Sequence, residues 1–130
     1  MKYYLKALEN YSGFDGRATR TEFWVFGLFC LIFIVTTVVL DHLLGTCFKY
    51  DMGYGVRVLP FGYIFAMYCL ATLIPTLALH VRRLHDIGKS GWFLFIVLIP
   101  VIGAIWLLVL YGTDSNAGYN KYGPAPKQSA

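Results

Sequence analysis

Three long apolar runs constrain this chain more than any other feature. Residues 23–40 hold eighteen positions without a charged side chain, and His42, Leu43 and Leu44 extend the run past Asp41. Residues 61–81 give twenty-one positions in which His80 is the one member of the Asp, Glu, Lys, Arg and His set. Residues 92–112 give twenty-one more with none. A helix rising about 1.5 Å per residue needs about 20 apolar residues to cross the hydrocarbon of a bilayer. A soluble helical core would have to bury about half the chain, and a composition of 58% hydrophobic and 14% charged residues leaves too little polar surface to cover it. The first run starts after 22 residues that include Glu9, Asp15 and Glu22, and it exceeds a signal-peptide core in length, so it is expected to stay in the mature protein. The expectation is an all-α integral membrane protein, one membrane domain over 1–130, with transmembrane helices at 23–44, 61–83 and 92–112.

The flanking segments complete that picture. In "KYYLKALENY", Tyr4, Leu5, Leu8 and Tyr11 share one helical face and Lys2, Lys6 and Glu9 the other, which predicts an amphipathic interfacial helix over 2–11. Ser12, Gly13, Asp15 and Gly16 are turn residues, and Thr19-Arg20-Thr21-Glu22 has the form of a capping box that starts the first membrane helix. Residues 45–60, with four Gly and Pro positions, read as a loop, Pro75 and Pro100 as kinks, and 113–130 as an irregular polar tail.

The net charge of +4 would raise the question of nucleic acid in a soluble protein. Here it reads as topology, and no nucleic-acid partner is expected. With the N-terminus cytoplasmic and the C-terminus outside, Lys2, Lys6, Arg17, Arg20, Arg82, Arg83 and Lys89 face inward, against Lys49, Arg57, Lys121 and Lys127 outward. Trp24 and Trp92 then serve as inner-interface anchors. Cys30 and Cys69 fall in spans and Cys47 in the loop, without metal-ligand spacing, so neither a metal site nor a cofactor is expected.

The stretch "RRLHDIGKSGW" (82–92) gathers most of the remaining polar chemistry. Much of it suits a hinge: Arg82 and Arg83 favour a helix C-terminus, Gly88 the position just past it, and Ser90 the cap of the next helix. Asp86 does not, because the helix dipole repels an acid there and an Arg four residues before it is the weaker order. The expected resolution is a pair between Asp86 and Arg17 or Arg20. The inner-face cluster sets Arg17, Arg20, Arg82, Arg83 and Lys89 against Asp15, Glu22 and Asp86, with His85 beside them. That surplus of cations suits an anionic lipid headgroup. No catalytic set assembles, since adjacent His85 and Asp86 lack a nucleophile placed with them.

"YSGFDGRATRTEFW", "RRLHDIGKSGW" and "NKYGPAPK" together resemble the domain-of-unknown-function 805 family, the YhaH-like small bacterial inner-membrane proteins, over nearly the whole chain. The matching positions are Gly16, Arg17, Arg20, Glu22 and Trp24, then Arg82, Arg83, Leu84, His85, Asp86 and Gly91, then Asn120, Gly123 and Pro124. The resemblance implies a multi-span helical protein of the bacterial inner membrane and no activity. The function expected is non-enzymatic: an interaction or assembly protein whose basic inner face takes anionic lipid or a protein partner, as a homo-oligomer or with a larger membrane protein. The alternatives are a subunit of an oligomeric transporter or channel, and an enzyme acting on a lipid phosphate through His85 and Asp86.

Overall fold

The computed structural model describes residues 1–126. Lys127 and the end of the expected tail lie outside them. The chain forms two compact units, one of residues 1–27 with 74 onward, the other of residues 28–73. Among the described residues, two helices are long and apolar enough to cross a membrane, α2 (Arg20–Leu44) and α3 (Tyr63–Asp86).

In the first unit, α1 (Lys2–Glu9) ends two residues earlier than its periodicity suggests. It turns Tyr4 and Ala7 inward, and the Tyr4 ring stacks on Phe26 at 5.2 Å. Leu5 and Tyr11, expected on the membrane-facing side of the interfacial helix, are exposed on the protein surface. The start of α2 follows the cap signal: the Glu22 amide donates to Thr19 Oγ1 at 3.1 Å. At the far end of α3, Gly88 takes a positive φ of 73°, the Gly88 amide donates to the His85 carbonyl, and Lys89 N–H donates to Leu84. This pair of bonds is a Schellman motif, which stops the helix at the glycine.

The third apolar run departs from expectation. It is not one transmembrane helix over 92–112 but a 3-10 helix, Gly91–Leu98, a break at Pro100 and Val101, and α4, Ile102–Gly112. At the break Val101 adopts φ 62°, and the Ile102 amide donates to the Pro100 carbonyl at 2.7 Å, a γ-turn. Proline is the physical cause: it cannot donate to the preceding turn and it disfavours helical geometry in its predecessor. Eight residues of 3-10 helix rise about 16 Å and eleven of α-helix about the same, each about half of the hydrocarbon thickness. The arms fold on each other, because a Cβ on Gly103 would run into the Ile96 carbonyl. Both ends of the run meet the same turn of α3. A Cβ on Gly91 would lie 2.9 Å from Val81, and the Tyr111 carbonyl accepts from Arg83 Nε at 3.2 Å. The run therefore leaves α3 and returns to it, and the tail emerges beside Arg17.

The second unit corrects the all-α expectation. Residues 45–60 contribute an antiparallel hairpin, β1 (Cys47–Asp51) with β2 (Val56–Gly62), pairing Lys49 with Val58 and Asp51 with Val56. Its turn is set by Asp51, whose side chain accepts from Gly53 N–H at 2.8 Å, and by positive φ at Gly53 and Gly55. Asp41, fully buried, closes the unit. It accepts from the Thr46 hydroxyl (2.5 Å) and from the amides of Gly62 (3.0 Å), Ile64 (3.0 Å) and Phe65 (2.9 Å). One carboxylate thus caps the N-terminus of α3 from the end of α2.

Candidate functional site

The polar residues converge on the last turn of α3, within the first unit. Arg17, delivered by the turn before α2, donates through Nε to Asp86 Oδ1 at 3.0 Å, with both side chains almost wholly buried. Its remaining N–H groups reach the carbonyls of Gly118 (2.8 Å), Gly123 (3.3 Å), Asn116 (2.5 Å) and Asp86 itself (3.2 Å). A guanidinium has five N–H donors, and here five bonds use them. The pair with Asp86 inferred from the helix dipole is thus made by Arg17, not by Arg20.

Arg83 approaches Asp86 from its own helix, binding Oδ2, and spans to the carbonyls of Tyr111 and Thr113 at the end of α4. Ser115 Oγ also donates to Asp86 Oδ2. Two cations flank one acid, and the surplus positive charge faces the negative end of the α4 dipole. The carbonyls of the last α3 turn find partners as well: Arg82 from the Ala18 amide, His85 from Asn120 Nδ2, Asp86 from the Asn116 amide. These are the groups that a helix end leaves without intrahelical donors. Tyr122 stacks on His85 at 3.8 Å with the rings nearly parallel, while His85 Nδ1 lies 3.2 Å from the Gly16 carbonyl.

A second, looser cluster sits beside α1. Glu22 bridges Lys6 (3.3 Å) and Arg82 (3.7 Å), and Nε and Nη2 of Arg82 are buried without a hydrogen-bond partner among the described residues. Of the other residues singled out, Arg20 pairs with the exposed Asp114 at 2.7 Å, and Lys89 is exposed with its ammonium over the Phe93 ring. Asp15 lies within electrostatic range of His85. Trp24 and Trp92 are both exposed. Asp41, Ser115, Asn116 and Tyr122 were not among the expected site residues. An acid ending an apolar run is a visible signal for Asp41, whereas nothing local marks the tail residues as partners of Arg17.

Chemically, the knot around Asp86 can hold segments together, with Asp86 and Arg83 fully enclosed and His85 lining an open groove. In the spans, the hydroxyls of Thr36, Thr37 and Thr72 each donate to a carbonyl of their own helix.

Over residues 11–124 the chain matches the family described as Protein of unknown function (DUF805). Inner membrane protein YhaI of Escherichia coli (strain K12) is 39% identical over 127 residues, covering 98% of this chain and 97% of that protein. Inner membrane protein YhaH of the same organism is 37% identical over 127 residues, covering 98% of each. No solved structure matches the chain.

Proposed function

We propose that this chain, which belongs to the DUF805 family, is a non-enzymatic assembly protein of the bacterial inner membrane, built of two spans and a re-entrant helical hairpin. Helices α2 and α3 are the spans, residues 91–112 dip into the cytoplasmic leaflet and return, and both termini are cytoplasmic. The charge distribution supports this topology. Lys2, Lys6, Arg17, Arg20, Arg82, Arg83, Lys89, Lys121 and Lys127 fall on the cytoplasmic side, against Lys49 and Arg57 outside. Nine against two is a stronger bias than the seven against four of a three-span arrangement.

The observation that carries the assembly reading is the tip of the hairpin. Leu98, Val101 and Ile102 are 75%, 71% and 69% exposed beside a non-helical backbone. Irregular backbone at membrane depth is tolerated where protein covers it, so the tip calls for a partner, here a second copy of this chain. The Asp86 knot is the scaffold that holds the hairpin in place. Of the cations expected at an anionic headgroup, Arg17, Arg82 and Arg83 are buried, which leaves Arg20 and Lys89 for the membrane surface.

The test is extraction in native-lipid discs followed by native mass spectrometry. Two or more copies per disc are expected. A single copy alone would overturn the reading, and a single copy bound to an unrelated membrane protein would replace self-association by a larger partner.

A further inference from the structure

Within the first unit, an open groove runs along α3 where the 3-10 helix packs on it. Its upper part, about 540 Å³, is floored by Leu77, Val81, Leu94 and Phe95, and its mouth is formed by His85 and Tyr122. It continues through a hollow of about 350 Å³ that shares Leu77, Leu94 and Phe95 and reaches Thr76 and Leu98. A third hollow, about 310 Å³, shares His80, Leu94 and Val97. The result is a long, mainly apolar trough, with His85, Ser90 and Tyr122 at one end and Thr76 and His80 as polar side chains further along. Its upper part alone falls in the usual range of ligand pockets, about 300–1,000 Å³.

The mouth carries a charge pattern. Lys89, next to Ser90 of the mouth, rests 5.5 Å above the Phe93 ring. Lys121 rests 4.9 Å above Tyr122, which itself lines the mouth. Both lysines are exposed, and neither is engaged in an ion pair with an acid within 4 Å among the described residues. Asp15 is the acid nearby, within electrostatic range of His85 together with Lys121. The balance at the mouth is therefore cationic, with two ammonium groups held over aromatic faces at the edge of an apolar trough.

We infer that this groove binds an anionic phospholipid, one acyl chain lying along Leu77, Leu94 and Phe95 and the phosphate meeting Lys89 and Lys121. A trough that is mainly apolar along its length and cationic at one end matches an amphiphile with one anionic end. A soluble anion would leave the apolar floor unused, and a zwitterionic lipid would gain little from the lysines. The inference rests on the proposed topology only in assigning the lipid to the cytoplasmic leaflet.

The experiment titrates the full chain in detergent with dioleoylphosphatidylglycerol and dioleoylphosphatidylcholine, counting adducts by native mass spectrometry. Detergent removes sidedness, so a wrong topology would leave this result intact, and copy number is read from the same spectra as an independent quantity. Phosphatidylglycerol should bind in preference. Each of Lys89→Gln and Lys121→Gln should cost roughly fivefold, as expected for a lysine beside an anionic surface. Arg57→Gln, an exposed cation on β2, should leave the preference unchanged. Both lysines are exposed, so these variants do not disturb the packed core. Photolabelling with a diazirine-chain phosphatidylglycerol should mark residues 77–95 above residues 28–44. Equal binding of the two lipids, an unchanged preference in the double lysine variant, or uniform labelling along the chain would each overturn the inference.

Discussion

Asp86 shows how an individual residue can be unfavourable by local rules and necessary by tertiary ones. Against its own helix dipole it is misplaced, yet Arg17, Arg83 and Ser115 all donate to it. Asp86→Ala leaves two buried arginines uncompensated and should destabilise by about 3–5 kcal/mol, far above the roughly 0–1 kcal/mol of an exposed pair such as Arg20 with Asp114. Thermal unfolding in detergent measures it. A double-mutant cycle with Arg17→Ala should give coupling above about 0.5 kcal/mol, and strict additivity would contradict the shared site. Tyr111 provides the opposite case, since its hydroxyl is buried without a hydrogen-bond partner among the described residues. An unsatisfied buried group costs about 1–3 kcal/mol, so Tyr111→Phe should hold or raise the unfolding midpoint. A drop would mean that the hydroxyl has a partner in the membrane-bound protein.

Among the elements, the third apolar run separates what hydrophobicity specifies from what backbone chemistry specifies. Its composition is that of a span, but Pro100 divides it into two arms too short to cross. Gly103 lets those arms touch, because any larger side chain meets the Ile96 carbonyl. Gly103→Ala should therefore cost about 1–3 kcal/mol through overpacking, while Gly112→Ala, with open space around its Cβ position, should change little. Equal effects of the two substitutions on the unfolding midpoint would argue against a folded-back hairpin. The β-hairpin was more legible than its reading as a loop suggests. "CFKYD" and "VRVLPFG" are aromatic and β-branched segments around a Gly-containing turn, the ordinary hairpin signature. Pro60 is tolerated because both strands of a two-stranded sheet are edges.

At the scale of the whole molecule, the proposed topology places the β-hairpin outside and the tail inside. In a background with Cys30, Cys47 and Cys69 replaced, Tyr54→Cys should react with a membrane-impermeant maleimide in intact cells, since Tyr54 is almost fully exposed at the hairpin turn. Tyr119→Cys, exposed in the tail, should react only after permeabilisation. Labelling of Tyr119→Cys in intact cells would restore a three-span chain and remove the re-entrant reading.

The sequence by itself determined the apolar helices α2 and α3, the cap at Thr19, the stop at Gly88 and the need of Asp86 for a distant cation. Each follows from local chemistry: run length against bilayer thickness, a hydroxyl three residues from an amide, a left-handed glycine, an acid at the wrong end of a dipole. The tertiary structure alone decided that Arg17 is the partner, that Asn116, Gly118 and Gly123 supply carbonyls to the same guanidinium, and that the tail returns to the N-terminal segment. Those contacts join residues about a hundred positions apart in sequence. No periodicity or spacing encodes them, because they depend on where the γ-turn at Val101 sends the chain, and one backbone angle there reverses the direction of everything that follows.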